Sequence, residues 1–374
     1  MHPPRMAAVA LPLIVCALPG CGKKEIVIGG LATLSGDGAA RGTPSQHGYE
    51  MAFAECNAAG GIHGRPVKLV MADDKADDLG CTAATLHLVK QDKVVAVLGP
   101  NWSWPALSGG RICQQAQVPL VATTATDPAV TQVGDYVFRA CYTNKQQGEA
   151  GARFAFEKLK ARTAACVFVK FFIPTAHQAA AESFSARFTA LGGQVATEFF
   201  GTNGKDSSHV LDGLLAAKPE VLYASVPDDH AGQIVRQARE KGFKGPILGT
   251  DDWDSAQVIA QAGPAMEGNY FTSPFSAGDT RPEVQEFVKK FIGRFGVEPD
   301  LNAAMAYDAS RLLFDSLRRA GSTEGPALRD ALKAADFSGV SGRVKFDEAR
   351  NPLKPVAIIQ IRSGKPAYDS TMNP

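Results

Sequence analysis

The sequence predicts an α/β fold of two doubly wound lobes with a cleft between them. Three observations lead there. Nearly all-apolar, β-rich runs alternate with amphipathic helical stretches. The alternation completes one unit and then begins again, giving a second of similar size. The C-terminal third adds helices and late strands but no third unit, so it returns over the two already built. Strands with no polar face are buried on both sides. In alternation with helices, that means a parallel sheet covered on both faces.

The first twenty-one residues stand apart. "MHPPR" is basic, "MAAVALPLIVCAL" is apolar and "LPGC" ends in small residues, the layout of an export signal. Its apolar run makes a helix of roughly 20 Å, short of a hydrocarbon core of roughly 30 Å. "LPGC" resembles the bacterial lipobox, which implies Cys21 as a lipid anchor, although Pro19 is atypical there. The alternative is a plain signal cut nearby. Of seven Cys, five remain in the mature chain beyond Cys21: Cys56, Cys81, Cys113, Cys141 and Cys166. An exported compartment permits disulfides. Five is odd, and no spacing gives a connectivity.

"EIVIGGL" reads as the first strand and "SQHGYEMAFAECNAAGG" as a helix closed by Gly60 and Gly61. "PVKLVMADD", "KVVAVLGP" and "VPLVATT" are further strands, with "LGCTAATLHLVKQD" and "SWPALSGGRICQQAQ" as the helices between them. The second unit runs through the strands "TAACVFVK", "QVATEFF", "EVLYASV" and "PILGTD". Its helices are "NKQQGEAGARFAFEKLKA", "HQAAAESFSARFTALGG", "DSSHVLDGLLAAK" and "DHAGQIVRQAREKG". Three later helices follow, and then "GRVKFD" and "KPVAIIQIR", which read as a hairpin-like pair. Residues 25–143 with 274–345 are expected to form one lobe, and residues 144–273 with 346–374 the other. The 374 residues suffice for both.

A formal net charge of +1, with 21% charged residues, gives no reason to expect nucleic acid or an anionic membrane surface as partner. Catalytic fingerprints are missing. "GGLATLSGDG" is neither G-x-G-x-x-G nor a P-loop, and there is no G-x-S-x-G, H-E-x-x-H or C-x-x-C. The His residues are scattered without metal spacing.

Ligands of open α/β sheets sit beyond the carboxyl ends of the strands. There the first lobe offers "ATLSGDGAARG", "GPNWSWPA" and "TTATDP", which are hydroxyls, amides and helix starts. The second offers "KFFIPTAH", "SVPDDH" and "GTDDWDS", which are carboxylates and aromatics. A zwitterion suits such a pair, with its carboxylate on the first lobe and its ammonium on the second.

These loops, with "GYEMAFAECNAAGGIHGRPVKLVMADD", "VPLVATTATDPAVT", "YVFRACYTNKQQG", "GQIVRQAREKGFKGPILGTDDWDS" and "AYDA", resemble the exported substrate-binding proteins of ABC importers, in the group that binds branched-chain amino acids and amides. The resemblance runs from about Glu25 to Ile361. It implies the type I periplasmic binding protein fold: two Rossmann-like, doubly wound lobes joined by a multi-crossing hinge. It also implies a monomer that delivers a small ligand to membrane permease subunits, with no catalysis and no cofactor. By the same resemblance, Ser103 would take the ligand carboxylate. In the stretch Thr124, Ala125 and Thr126, Thr124 would contribute mainly through its backbone and Thr126 through backbone and hydroxyl to both ends of the amino-acid group, and Asp251 would hold the ammonium.

Each residue has a plainer reading. Ser103, Thr126 and Asp251 are also good helix caps, Trp253 suits a core, and Trp102 and Trp104 suit packing as well as a pocket. The chain departs from its relatives at Arg41, where they often place an aromatic residue. It departs again at "FFIPTAH", where Phe171 or Phe172 could supply an aromatic wall, and near Val226 and Pro227. These positions shape the side-chain pocket, so the ligand need not be leucine or valine. Urea, amides and aromatic acids are alternatives, as is a sensor role on the same scaffold.

Overall fold

The computed structural model describes residues 24–170, 176–201 and 208–374. The first strands and helices are β1 (Ile26–Ala32), α1 (Ala39–Ala58), β2 (Val67–Asp73), α2 (Asp78–Lys90), β3 (Val97–Leu98) and α3 (Ser103–Ala116). Then come β4 (Leu120–Ala122), the short α4 (Ala129–Gln132) and β5 (Val137–Arg139). These strands pair in parallel in the order β2-β1-β3-β4-β5. Along β1 the side chains alternate between two cores. Ile26 and Ile28 pack on one face, and Val27 and Leu31 on the other.

The chain then crosses to α5 (Asn144–Arg153), β6 (Thr163–Lys170), α6 (Ala176–Ala190), β7 (Gln194–Gly201), α7 (Ser208–Ala216), β8 (Val221–Ser225) and α8 (Asp228–Glu240). β9 (Ile247–Gly249), α9 (Ala256–Ala262) and β10 (Tyr270–Ser273) complete the unit. Their order, β7-β6-β8-β9-β10, repeats that of the first sheet, and every pair is again parallel. Two doubly wound lobes therefore share one topology. Each has its switch point between its first and third strands, where outgoing loops diverge and leave a crevice.

A second crossing leads to α10 (Pro282–Phe295), α11 (Leu301–Ala320) and α12 (Gly325–Lys333), whose apolar faces join the core of the first sheet. The expected hairpin of "GRVKFD" with "KPVAIIQIR" does not form. β11 (Asp336–Gly339) and β12 (Gly342–Lys345) pair with each other. After a third crossing, β13 (Val356–Arg362) pairs antiparallel with β10 and with β14 (Lys365–Met372). The alternation of a strand fixes its faces but not its neighbour. Val344 belongs to the first core, whereas Ile358, Ile359 and Ile361 belong to the second.

Buried polar bonds tie the first and third crossings together. Lys354, 1% exposed, donates to the Ala140 carbonyl at 3.1 Å and to Ser341 Oγ. Ser341 is held in turn by Asp308, which accepts the N–H of Val340 at 2.9 Å and that of Ser341 at 2.8 Å. Burial pulls the Lys354 ammonium down to about 8, against the opposing pull of Asp308. All five cysteines of the described residues are buried, and none is paired. No helix of the described residues is long and apolar enough to cross a membrane.

Candidate functional site

The first wall is built from the ends of β3 and β4. β3 runs into Gly99, whose φ of +86° favours glycine. A Cβ there would lie 2.2 Å from the Leu31 carbonyl, so the turn can run this close to β1 only without a side chain. Beneath it, Asn101 donates to Ser45 Oγ at 2.8 Å and to Asn302 Oδ1 at 3.1 Å. The following loop is fastened to this turn. Thr123 Oγ1 donates to the Pro100 carbonyl at 3.2 Å, and Thr124 Oγ1 to the Asn101 carbonyl at 3.0 Å. Arg139, fully buried, donates to the carbonyls of Ala125 at 2.7 Å and Asp127 at 2.6 Å. The Thr126 carbonyl accepts the Asn144 N–H at 3.0 Å.

This bracing uses carbonyls and leaves donors. The main-chain N–H groups of Thr124, Ala125 and Thr126 find no acceptor among the described residues. Ser103 Oγ accepts the Asp127 N–H at 3.2 Å, which leaves its own proton to donate. Neither Ser103 nor Thr126 caps a helix. The capping position of α3 is Trp102, and α4 follows Pro128, with Asp127 Oδ1 taking the Ala129 N–H at 2.8 Å.

The second wall comes from the ends of β8 and β9. Asp228 opens α8, and Asp251 opens a single 3₁₀ turn, Asp251–Trp253. The Asp251 N–H donates to Gln147 Oε1 at 2.7 Å, an oxygen that also accepts Thr272 Oγ1 at 2.6 Å. Gln147 Nε2 reaches Asn144 at 3.4 Å, so a chain of polar bonds runs from Thr126 to Asp251. Trp253 is core: it is fully buried and lies over Gly249, where a Cβ would be 2.0 Å from its ring. His177, in the first turn of α6, lies 3.8 Å from Asp252.

Arg41 joins the walls. It sits in the first turn of α1, where the helix dipole disfavours a cation, and it is held by acceptors from the other lobe. Its Nη2 donates to Asp228 Oδ2 at 3.0 Å and to the Asp252 carbonyl at 3.3 Å, with its guanidinium 5.0 Å from the centre of the Trp102 ring. Arg41 and Trp102 follow β1 and β3, the strands flanking the first switch point. His177 and Asp228 follow β6 and β8, the strands flanking the second.

The electrostatics are acidic. Burial, reinforced by Asp252, pushes the Asp251 carboxyl up to about 7, with Gln147 and Arg41 opposing. Burial and Asp300 push Asp254 up to about 7 as well. Burial works against the Arg41 charge, but the carboxylates of Asp252 and Asp228 outweigh it and raise its pKa. Burial holds His177 below its usual value in spite of Asp252 and Asp228. No group of His, Cys, Asp and Glu among the described residues is arranged to hold a metal ion. A cavity of about 450 Å³ lies further along the seam. It is lined by Asp254, Phe275, Asp300, Leu301, Ile359 and Tyr368, among others, and by none of Ser103, Thr126 and Asp251.

Of the residues read from the sequence, Arg41 meets the second wall directly, with Trp102 against its guanidinium, and Thr126 and Asp251 are linked through Asn144 and Gln147. Phe172, Phe171 and Cys21 lie outside the described residues. Trp104, 47% exposed, stacks on Trp102 and donates to the Ala76 carbonyl at 3.0 Å, so it faces away from the cleft. Arg139, Gln147 and Asn101 escaped the sequence reading. They act through main-chain and amide groups, and no motif marks them. Asp228 sat in view in "SVPDDH", without a partner to give it meaning.

Comparison with known proteins agrees with this architecture. A family model described as periplasmic binding protein matches residues 25–366. The Leu/Ile/Val-binding protein homolog 2 of Brucella abortus is 30% identical over 356 residues, covering 93% of this chain and 94% of that protein. The crystal structure of the leucine binding protein LivK of Thermotoga maritima superposes with a TM-score of 0.82 at 29% identity, covering 93% of this chain and 99% of that one. LivJ of Streptococcus pneumoniae, solved in complex with isoleucine, gives 0.80 at 28% identity, with 94% and 100% covered. The chain belongs to the periplasmic binding proteins.

Proposed function

We propose that this chain is the exported solute-binding component of an ABC importer and that it closes its two lobes on a small amino acid. One observation carries the reading. Unused donors at Ser103 and Thr124–Thr126 stand on one wall, and a half-buried carboxylate at Asp251, with no cation within ion-pair distance among the described residues, stands on the other. Such a pair matches a ligand carboxylate and a ligand ammonium. The names of the relatives support the same class. Residues 25–143 with 274–345 form one lobe and residues 144–273 with 346–374 the other, and the packing of α10–α12 and of β13–β14 supports this division. The mature chain acts as a monomer, anchored through Cys21, and hands its ligand to membrane permease subunits.

A thermal-shift screen of amino acids, amides and aromatic acids, followed by calorimetry, tests the ligand class. An amino acid is expected to raise the Tm and to give a saturable heat. Asp251→Ala is expected to weaken its binding at least tenfold. Aromatic acids shifting the Tm while amino acids do not would overturn the zwitterion reading. Unchanged affinity in Asp251→Ala would remove Asp251 from the site.

A further inference from the structure

The guanidinium of Arg41 sits one residue away from each anchor of the proposed head group. It stacks on Trp102, which precedes Ser103, and it donates to the carbonyl of Asp252, which follows Asp251. A ligand held by Ser103 and Asp251 as proposed would have its side chain beside this group. Only 16% of the Arg41 side chain is exposed. Its Nη2 is engaged by Asp228 and Asp252, while its Nε and Nη1 find no acceptor among the described residues.

We infer that Arg41 selects the side-chain class of the ligand: an amino acid ending in a neutral hydrogen-bond acceptor, a hydroxyl or carboxamide, in preference to an aliphatic one. The inference rests on the amino-acid reading above. An aliphatic side chain would strip water from the free guanidinium N–H groups and give nothing back, and an unpaired buried donor is among the costliest defects of a site. A side-chain carboxylate fails for the opposite reason. Asp228 already neutralises Arg41, and Asp252 adds further negative charge close by, so another anion meets net repulsion. A neutral oxygen satisfies the donors without adding charge. Sites built to hydrogen-bond a ligand hydroxyl discriminate strongly against the analogue that lacks it.

Calorimetry on the mature protein with matched ligands tests this. Threonine against valine and asparagine against leucine compare polar with apolar ends of similar size. Asparagine against aspartate compares neutral with charged. The polar member of at least one size-matched pair is expected to bind at least tenfold more tightly than its apolar partner, and asparagine more tightly than aspartate. In Arg41→Leu, with folding checked by thermal melting, the first preference is expected to reverse. Valine and leucine binding the wild-type protein as tightly as their polar partners would overturn the inference, as would aspartate exceeding asparagine or a preference unchanged in Arg41→Leu. The wild-type ratios decide the question even if the variant does not fold. Absence of heat with every amino acid would instead overturn the amino-acid reading, and this inference with it.

Discussion

If Asp251 holds a ligand ammonium as proposed, it does so at a cost in stability. Its carboxyl, raised from 3.8 to about 7 by burial and by Asp252, holds a proton in the folded chain that the unfolded chain has already lost. Stability from this group is therefore present below about pH 4 and is lost as pH rises toward 7. Asp251→Asn is expected to raise the Tm of the ligand-free protein at pH 7.5 by on the order of 2 °C or more, while weakening amino-acid binding. A lower Tm in that variant would contradict the assignment of strain. Binding has the opposite dependence. An ammonium needs the carboxylate, so at pH 5.5 the ligand must displace a proton. Affinity measured by calorimetry is expected to fall on the order of tenfold or more between pH 7.5 and 5.5, and a flat profile would exclude Asp251 as the ammonium partner.

At the scale of elements, the loops after β3 and β4 act as one rigid unit because Arg139 and the Thr123 and Thr124 hydroxyls fasten them. Arg139→Met removes two buried hydrogen bonds and strands the carbonyls of Ala125 and Asp127, a loss of about 2–6 kcal/mol if each stranded group costs about 1–3 kcal/mol. The variant is expected to melt lower and to bind ligand at least tenfold more weakly. Retention of wild-type affinity would show that the loop holds its shape unaided. Arg139 also marks the limit of the sequence reading. Most strands and helices were legible because their apolar period repeats over many residues. β5, β10, β11, α4 and α9 were passed over because they span only three to seven residues, too short for a period to stand out, and β14, eight residues long, was passed over because it has no buried alternating face. The mispaired late strands failed for a related reason, since register and partner depend on which core lies beneath. Within the proposed site, Ser103, Thr124–Thr126, Asp251 and Arg41 stood at strand ends and were visible. The Arg41–Asp228 pair spans 187 residues of sequence, and no local pattern could supply it.

Across the whole molecule, two lobes whose parallel strands share one order meet with their switch points facing each other, and Lys354 ties the third crossing to the first at Ala140 and to Ser341, which Asp308 holds. Export would expose the chain to oxidants, yet Cys56, Cys81, Cys113, Cys141 and Cys166 are all buried and unpaired. Burial raises the thiols of Cys81 and Cys166 to about 12, which suppresses the reactive thiolate. Thiol labelling of the native protein is expected to stay near zero, to proceed on adding denaturant, and to leave the Tm indifferent to reductant. A drop in Tm with reductant would reveal a disulfide and contradict the packing described here.

The three tryptophans of the chain all belong to the loops that bound the cleft. Trp102 lies under the Arg41 guanidinium, Trp104 stacks on it, and Trp253 closes the turn that carries Asp251. No indole elsewhere contributes background. The protein thus carries a built-in optical gauge: its indole emission arises only beside the ends of β3 and β9, and lobe motion can be timed in a stopped-flow instrument without attaching a dye.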